Sequence, residues 1–518
     1  MSDSLHKYMN QRKAGAPKKS ILSDNLDLTV HPSMSKIETL WQNKDYEGIL
    51  QERIPILGGV PTSKDRRFSA IAQELQQVCP LELQVRYPLS MLRIALVLLS
   101  EAQPQQALDV LVTIRNSAQA KEDEREQKAL LGECMLVEAI SYCPDVEKML
   151  STLKQAAALA NGRVAVVDAD DPFLYCISSP FCVIHTVTGK ADEQGRQYSQ
   201  FSELYEKLTG GGGRGAGELY QAGLHYYRGE FKQAELLCFK AAYLADSAHQ
   251  YSLHMGAARL LAEICMHKTD MEAFSDAVAL LKQAASTDSV YAPIVAQMLE
   301  FEYADLHLEI SAIEHIPLWV QSNEMGFGPP VVRNYLKFMQ IRYFFYSKKY
   351  ERTIGLGEVL LLQQETFGVM IYALIGLYVA CSYILLDLFD KGIDLFNRSY
   401  PPLFEDRLYL VFSYFYENMG DEFAEYLEQT YPEDSAAIVK LRKSNQDGLM
   451  RFMHVYLEDE GNLSERERAV AELAAEGLHN KEISERLGIS ANTVRSHMRK
   501  VFEKLAVDRR SELGRLLK

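Results

Sequence analysis

The chain has 518 residues, 47% hydrophobic and 24% charged, enough for two or three domains with sizeable cores in an ordinary soluble protein. A formal net charge of −15 excludes a surface that binds nucleic acid nonspecifically as a whole. The charge is uneven, however: residues 461–518 hold 12 Lys and Arg against 9 Asp and Glu, a net of +3, and the remainder holds 43 against 61, a net of −18.

Residues 1–34 carry Lys7, Arg12, Lys13, Lys18 and Lys19 among polar and turn residues, which reads as a poorly ordered basic tail with little to bury. No apolar stretch of secretory-signal type follows these basic residues. The eight cysteines (Cys79, Cys134, Cys143, Cys176, Cys182, Cys238, Cys265 and Cys381) include no CxxC pair. Cys176 and Cys182 with His185 come nearest to a cluster, but their spacing fits no strong zinc pattern. Buried free thiols in a reducing cytosol are expected, so the chain reads as cytoplasmic, with no metal and no cofactor.

Residues 35–457 read almost throughout as helices of ten to twenty residues, separated by polar turns. An aromatic followed three positions on by a small or medium residue recurs at the helix starts. The pairs are Tyr46/Ile49, Phe231/Ala234, Phe274/Ala277, Tyr350/Thr353 and Phe389/Gly392, with Pro104/Ala107 as a variant. The clearest unit runs from Tyr220 to Ala245, where two helices meet at Gly229. The pattern is similar to a degenerate tetratricopeptide repeat. Its intervals, 43 residues from Phe231 to Phe274 and 39 from Tyr350 to Phe389, exceed the usual period of about 34. Paired helices that stack only on their neighbours, in a solenoid with a concave face, are expected; a generic helical bundle is the alternative.

Three stretches in this body suggest other chemistry. Leu208 to Gly217 is glycine-rich but lacks the Lys-Ser/Thr of a phosphate loop, so a flexible linker that could break the body in two is expected. Arg163 to Asp171 resembles the start of a receiver domain, yet no alternating strand–helix pattern follows, and it reads as a loop or one short strand. Gly368 to Leu386 has nineteen residues without a charge, the length of a membrane span. It lacks a basic flank and leads into Phe389/Gly392, so a helix buried in the body is expected.

Residues 458–462 form a short acidic hinge before a C-terminal module, 458–518. Four helices are expected in the module. Ser464 and Glu467 have capping-box spacing, and that first helix stops at Gly477. The second runs from about Lys481 to Leu487 and stops at Gly488, Ser490 caps a third that reaches about Leu505, and Arg510 to Lys518 form the last. A helix, a glycine-containing turn and a helix make a helix-turn-helix, whose second helix enters the DNA major groove. On the third helix Val494, Met498, Val501 and Leu505 form one apolar stripe; Asn492, Arg495, Ser496 and Arg499 lie off it.

The module closely resembles the LuxR/NarL-type helix-turn-helix of bacterial transcription regulators. The resemblance rests on Leu463-Ser464, Arg466-Glu467, Gly477, Asn480 through Ile483, Leu487, Ile489-Ser490, Thr493 through Arg495, His497, Lys504-Leu505, Val507 and Arg510. It implies base reading by Arg495, Ser496 and Arg499 and phosphate contacts at Lys481, Thr493 and Lys504; Asn492, in the first turn of the third helix, also favours a phosphate. His497 is expected to pack or to bond to backbone rather than read a base. Ala506 and Leu513 depart from the family's usual Gly and Ala. The resemblance also implies pairing on inverted half-sites, and Leu513, Leu516 and Leu517 could serve either a dimer contact or the module's own core.

No catalytic motif is present: neither GxSxG, HExxH nor GxxxxGK[ST] occurs, so no enzyme is expected. The sequence reads as an all-α bacterial regulator. Its module would bind double-stranded DNA as a homodimer, under a helical-repeat body that takes a protein or peptide partner. A protein-interaction scaffold and a membrane-attached sensor-regulator are the alternatives.

Overall fold

One kind of turn recurs between many of the helices of this chain. In the structure, a computed structural model, residues 32–56, 67–160, 162–173, 179–286, 291–322, 330–363, 368–400, 402–415, 419–443, 452, 465–475, 477–504, 510 and 513 are described. Among them every regular element is a helix and no strand is present, so the fold is all-α. The chain divides into two units, Asp24–Gln446 and a second that contains Asp447–Lys518. The N-terminal tail falls outside the described residues up to 31, and a helix runs from Pro32 to Gln42.

Helices of the body begin at Tyr46, Pro104, Phe231, Tyr350 and Phe389, where the aromatic signature and its proline variant place them. Phe274 instead lies three residues inside Met271–Ala284, because Asp270 caps that helix and accepts the Ala273 N–H at 3.0 Å. The second residue of each pair (Ile49, Ala107, Ala234, Ala277, Thr353 and Gly392) is buried. Two residues before a helix start stands a left-handed residue: Lys44, Ala102, Gly229, His249, Thr269, Lys348 or Asp387, with φ from 53° to 77°. The next N–H then reaches the carbonyl five residues back, at 2.8–3.1 Å, as in Asp45 to Leu40 and Leu388 to Tyr383. This is a Schellman turn, which satisfies carbonyls that the helix end leaves open. Phe231–Ser247 and Tyr251–Lys268 have 17 and 18 residues, so a helix pair with its turns needs about forty, which explains the long intervals.

Consecutive helices pack on each other, but the body also holds ties between distant segments, contrary to a stack that touches only its neighbours. The stretch 163–171 is a loop with Val164, Val166 and Val167 buried, and Glu133 accepts the N–H groups of Ala165 and Val166 at 2.7 and 3.0 Å. Asp171, 2% exposed, accepts two N–H groups of Arg93 at 2.8 and 2.9 Å and the hydroxyl of Tyr291, which in turn accepts the Ile56 N–H. A second tie gathers residues 185–191 onto Asp406. Its carboxylate lies 2.9 Å from His185 Nε2 and accepts the N–H groups of Gly189 and Ala191, while the Val369 N–H donates to the His185 carbonyl. A third joins three helices: Arg259 pairs with Glu263 and Asp305, Arg342 with Asp305 and Glu309, and Tyr335 donates to Asp305.

The glycine-rich stretch is a packed turn and not a flexible linker. Gly210, Gly213 and Gly215 have φ of 78°, 73° and 94°. The Gly213 N–H donates to Gln250 at 2.8 Å, and its carbonyl accepts from Ser202 at 3.0 Å. Glycine is needed here for positive φ and for close approach; both requirements are invisible in composition. The apolar run forms the helix Val369–Leu385, buried along most of its length. Among the described residues no helix is long and apolar enough to cross a membrane. All seven described cysteines are free; Cys176 lies outside the described residues.

A side chain at Gly213 would place Cβ 2.8 Å from Phe173, on a backbone that only glycine adopts at little cost. Gly213→Ala is therefore expected to destabilise the body by roughly 2–4 kcal/mol in urea unfolding, whereas a flexible linker would tolerate it. Burial alone would raise the Asp171 carboxyl, but its bonds to Arg93 and the Arg93 charge hold it below the usual range. Its contribution is thus present above about pH 4 and lost as the pH falls further. Asp171→Asn leaves the buried Arg93 charge without its carboxylate, an expected loss of about 3–5 kcal/mol at pH 7, and should flatten the acid limb of the stability curve.

Candidate nucleic-acid interface

Residues 465–504 fold as three helices, Glu465–Ala475, Asn480–Leu487 and Ala491–Lys504. The first two stop as expected, at Gly477 and Gly488, with φ of 95° and 65°. At each stop the following N–H, of Leu478 or Ile489, reaches back five residues to Leu473 or Ser484 at 3.1 Å. Leu478 and Ile489 pack partly buried on the core, the apolar contact that accompanies such a turn. Ser490 caps the third helix, its Oγ accepting the Thr493 N–H at 3.0 Å and lying 2.8 Å from Thr493 Oγ1. The second helix has a cap that the sequence reading did not identify: Glu482 accepts the His479 N–H at 2.6 Å. Ser464, the hinge 458–462, Leu505, Ala506 and most of the expected fourth helix lie outside the described residues.

Val470, Ala471, Ala474, Ile483, Val494, Met498, Val501 and Leu513 form the core of the module. The described part of the apolar stripe on the third helix therefore faces inward. Leu513 is fully buried in that core, which decides between the two roles open to it. His497 is half-buried on the flank of the helix.

With one face committed to the core, the other is presented outward. Thr493, Arg495, Ser496 and Arg499 are exposed, with Arg495 and Arg499 one turn apart. Lys481 is exposed in the first turn of the second helix. Asn492 and Lys504 stand in the first turn and at the last residue of the third helix; their side chains lie outside the described residues. Two guanidinium forks on one helix face can each pair with a guanine edge or a phosphate, and the N-terminal turns supply N–H groups and a positive dipole end.

A further residue ties these elements together. Arg510 donates to Asn480 Oδ1 at 3.0 Å, to the Ala474 carbonyl at 3.4 Å and to the Leu478 carbonyl. Burial lowers the pKa of its guanidinium, an effect that the nearby Glu482 opposes. Sequence order matched Arg510 to a family position but gave no hint of these partners, which lie 30 to 36 residues away.

Residues 461–517 match the family model of the bacterial regulatory proteins of the luxR family. No curated protein and no solved structure matches the chain. The matched span contains all three described helices, the shared core and the outward arginine face. The C-terminal module, residues 461–517, is a LuxR-family helix-turn-helix domain.

Proposed function

We propose that the chain is a bacterial transcription regulator, cytoplasmic, whose helix-turn-helix module reads double-stranded DNA under the control of its helical body. The observation that carries the reading is the third helix of a LuxR-family domain: Val494, Met498 and Val501 are buried on one side, while Arg495, Ser496 and Arg499 are exposed on the other. In this reading Arg495, Ser496 and Arg499 meet base edges in the major groove. Lys481, Thr493, Asn492 and Lys504 meet phosphates and fix the register.

One such module makes few base contacts. Two copies on inverted half-sites multiply the discrimination, so a homodimer is the state that binds DNA. The body, acidic and built of stacked helix pairs, takes a protein or peptide partner and passes that binding on to the module.

Arg495→Ala or Arg499→Ala is expected to cost about 1–3 kcal/mol at the specific site and to relax preference for the base that it reads. Lys481→Ala should weaken all sequences alike and flatten the salt dependence by about one unit. Quantitative binding to matched and mismatched duplexes checks each; unchanged affinity and preference in Arg495→Ala contradicts the assignment. A comparison of the full chain with residues 458–518 on one duplex tests control by the body. Tighter binding by the fragment is the result expected of an inhibitory body, and equal binding argues against it.

A further inference from the structure

Arg510 lies outside the surface assigned to DNA, yet its guanidinium joins the parts that carry that surface. Its three acceptors are the Ala474 carbonyl in the last turn of the first helix, the Leu478 carbonyl in the turn, and Asn480 Oδ1 at the first residue of the second helix. A cation placed at a helix C-terminus meets the negative end of its dipole. Each acceptor meets a different nitrogen of the planar fork, Nε, Nη1 or Nη2, whereas an ammonium would have to reach all three from one nitrogen. Three residues on, Leu513 is fully buried in the module core, so this segment is anchored where it turns Arg510 inward. Lys481 follows Asn480 directly and is exposed.

The geometry points to Arg510 as a positioning residue for DNA binding: it fixes the turn and the start of the second helix, so that Lys481 and the recognition helix engage one duplex together. The assignment rests on the DNA-binding reading and adds to it a residue that acts through others.

The test measures salt-dependent binding of the full-length chain to one duplex for the unaltered protein, Lys481→Ala, Arg510→Ala and the double variant. Each is held at a temperature where circular dichroism shows the full helical signal. Lys481→Ala and Arg510→Ala should each flatten the plot of log affinity against log salt by about one unit, and the double variant by no more than either alone. Arg510→Ala should also weaken binding on the order of tenfold, the scale of a lost charged hydrogen bond. An unchanged slope in Arg510→Ala, with only the melting temperature lowered, means a purely structural role and overturns the assignment. A loss of about two units in the double variant means that Arg510 grips a phosphate itself, which overturns it as well. Should Arg510→Ala unfold the module, Asn480→Ala takes its place, because it removes one acceptor and leaves the guanidinium and core intact. It should flatten the slope in part, and an unchanged slope overturns the assignment. Absence of salt-dependent binding by the unaltered chain overturns both this inference and the DNA-binding reading; binding with an unchanged Arg510→Ala slope overturns the inference alone.

Discussion

A helix ends with carbonyls that nothing inside it can satisfy, and a chain that is almost all helix meets this constraint at every turn. Here one answer recurs in both units: a left-handed residue folds the next N–H back onto the carbonyl five positions earlier. In the body that next residue (Asp45, Gln103, Glu230, Gln250, Asp270, Lys349 or Leu388) is also the N-cap of the following helix. In the module an apolar residue, Leu478 or Ile489, stands between the left-handed glycine and the cap. That extra residue packs on the core. A single turn chemistry therefore yields closely stacked helix pairs in one unit and a helix-turn-helix in the other.

The body adds polar ties to this local order. Asp171, Asp406 and Asp305 each accept bonds from segments far apart in the chain, and each is buried. Ions of this kind contribute little net stability when intact, but their loss is costly, because the abandoned partner remains buried. They hold particular helices at particular places, a role that stacking of apolar faces alone fills less specifically. The module works on the opposite plan. Among its described residues the charges, apart from Arg510 and the buried Glu467, are turned outward, where they can meet a partner's phosphates and base edges.

Much of this was legible in the sequence because it is local. Tyr46, Phe231, Tyr350 and Phe389 mark helix starts through the burial of the residue three positions on. The outward position of Arg495 and Arg499 follows from the spacing of Val494, Met498 and Val501. What escaped was nonlocal or carried by unexpected residue types. Among the described residues of the body, most left-handed stops are Lys, Ala, His, Thr, Ser, Asp or Arg, and a search for glycine finds only Gly210 and Gly229. The run at 208–217 reads as a linker in the sequence because composition reports freedom. It cannot report that Phe173, Ser202, Tyr205 and Gln250 surround Gly213. Single polar residues such as Asp171, Asp406 and Arg510 leave no period in the sequence, and backbone carbonyls as partners leave no side chain to read.

The central claim is that the exposed face of the third helix reads DNA sequence. Selection of binding sites from random duplex DNA by the full-length chain, beside the Arg495→Ala/Arg499→Ala double variant, tests it most directly. The account predicts enrichment of an inverted repeat by the unaltered chain and loss of that enrichment in the double variant, with its helical signal unchanged. Enrichment of the same sequence by both proteins would contradict it.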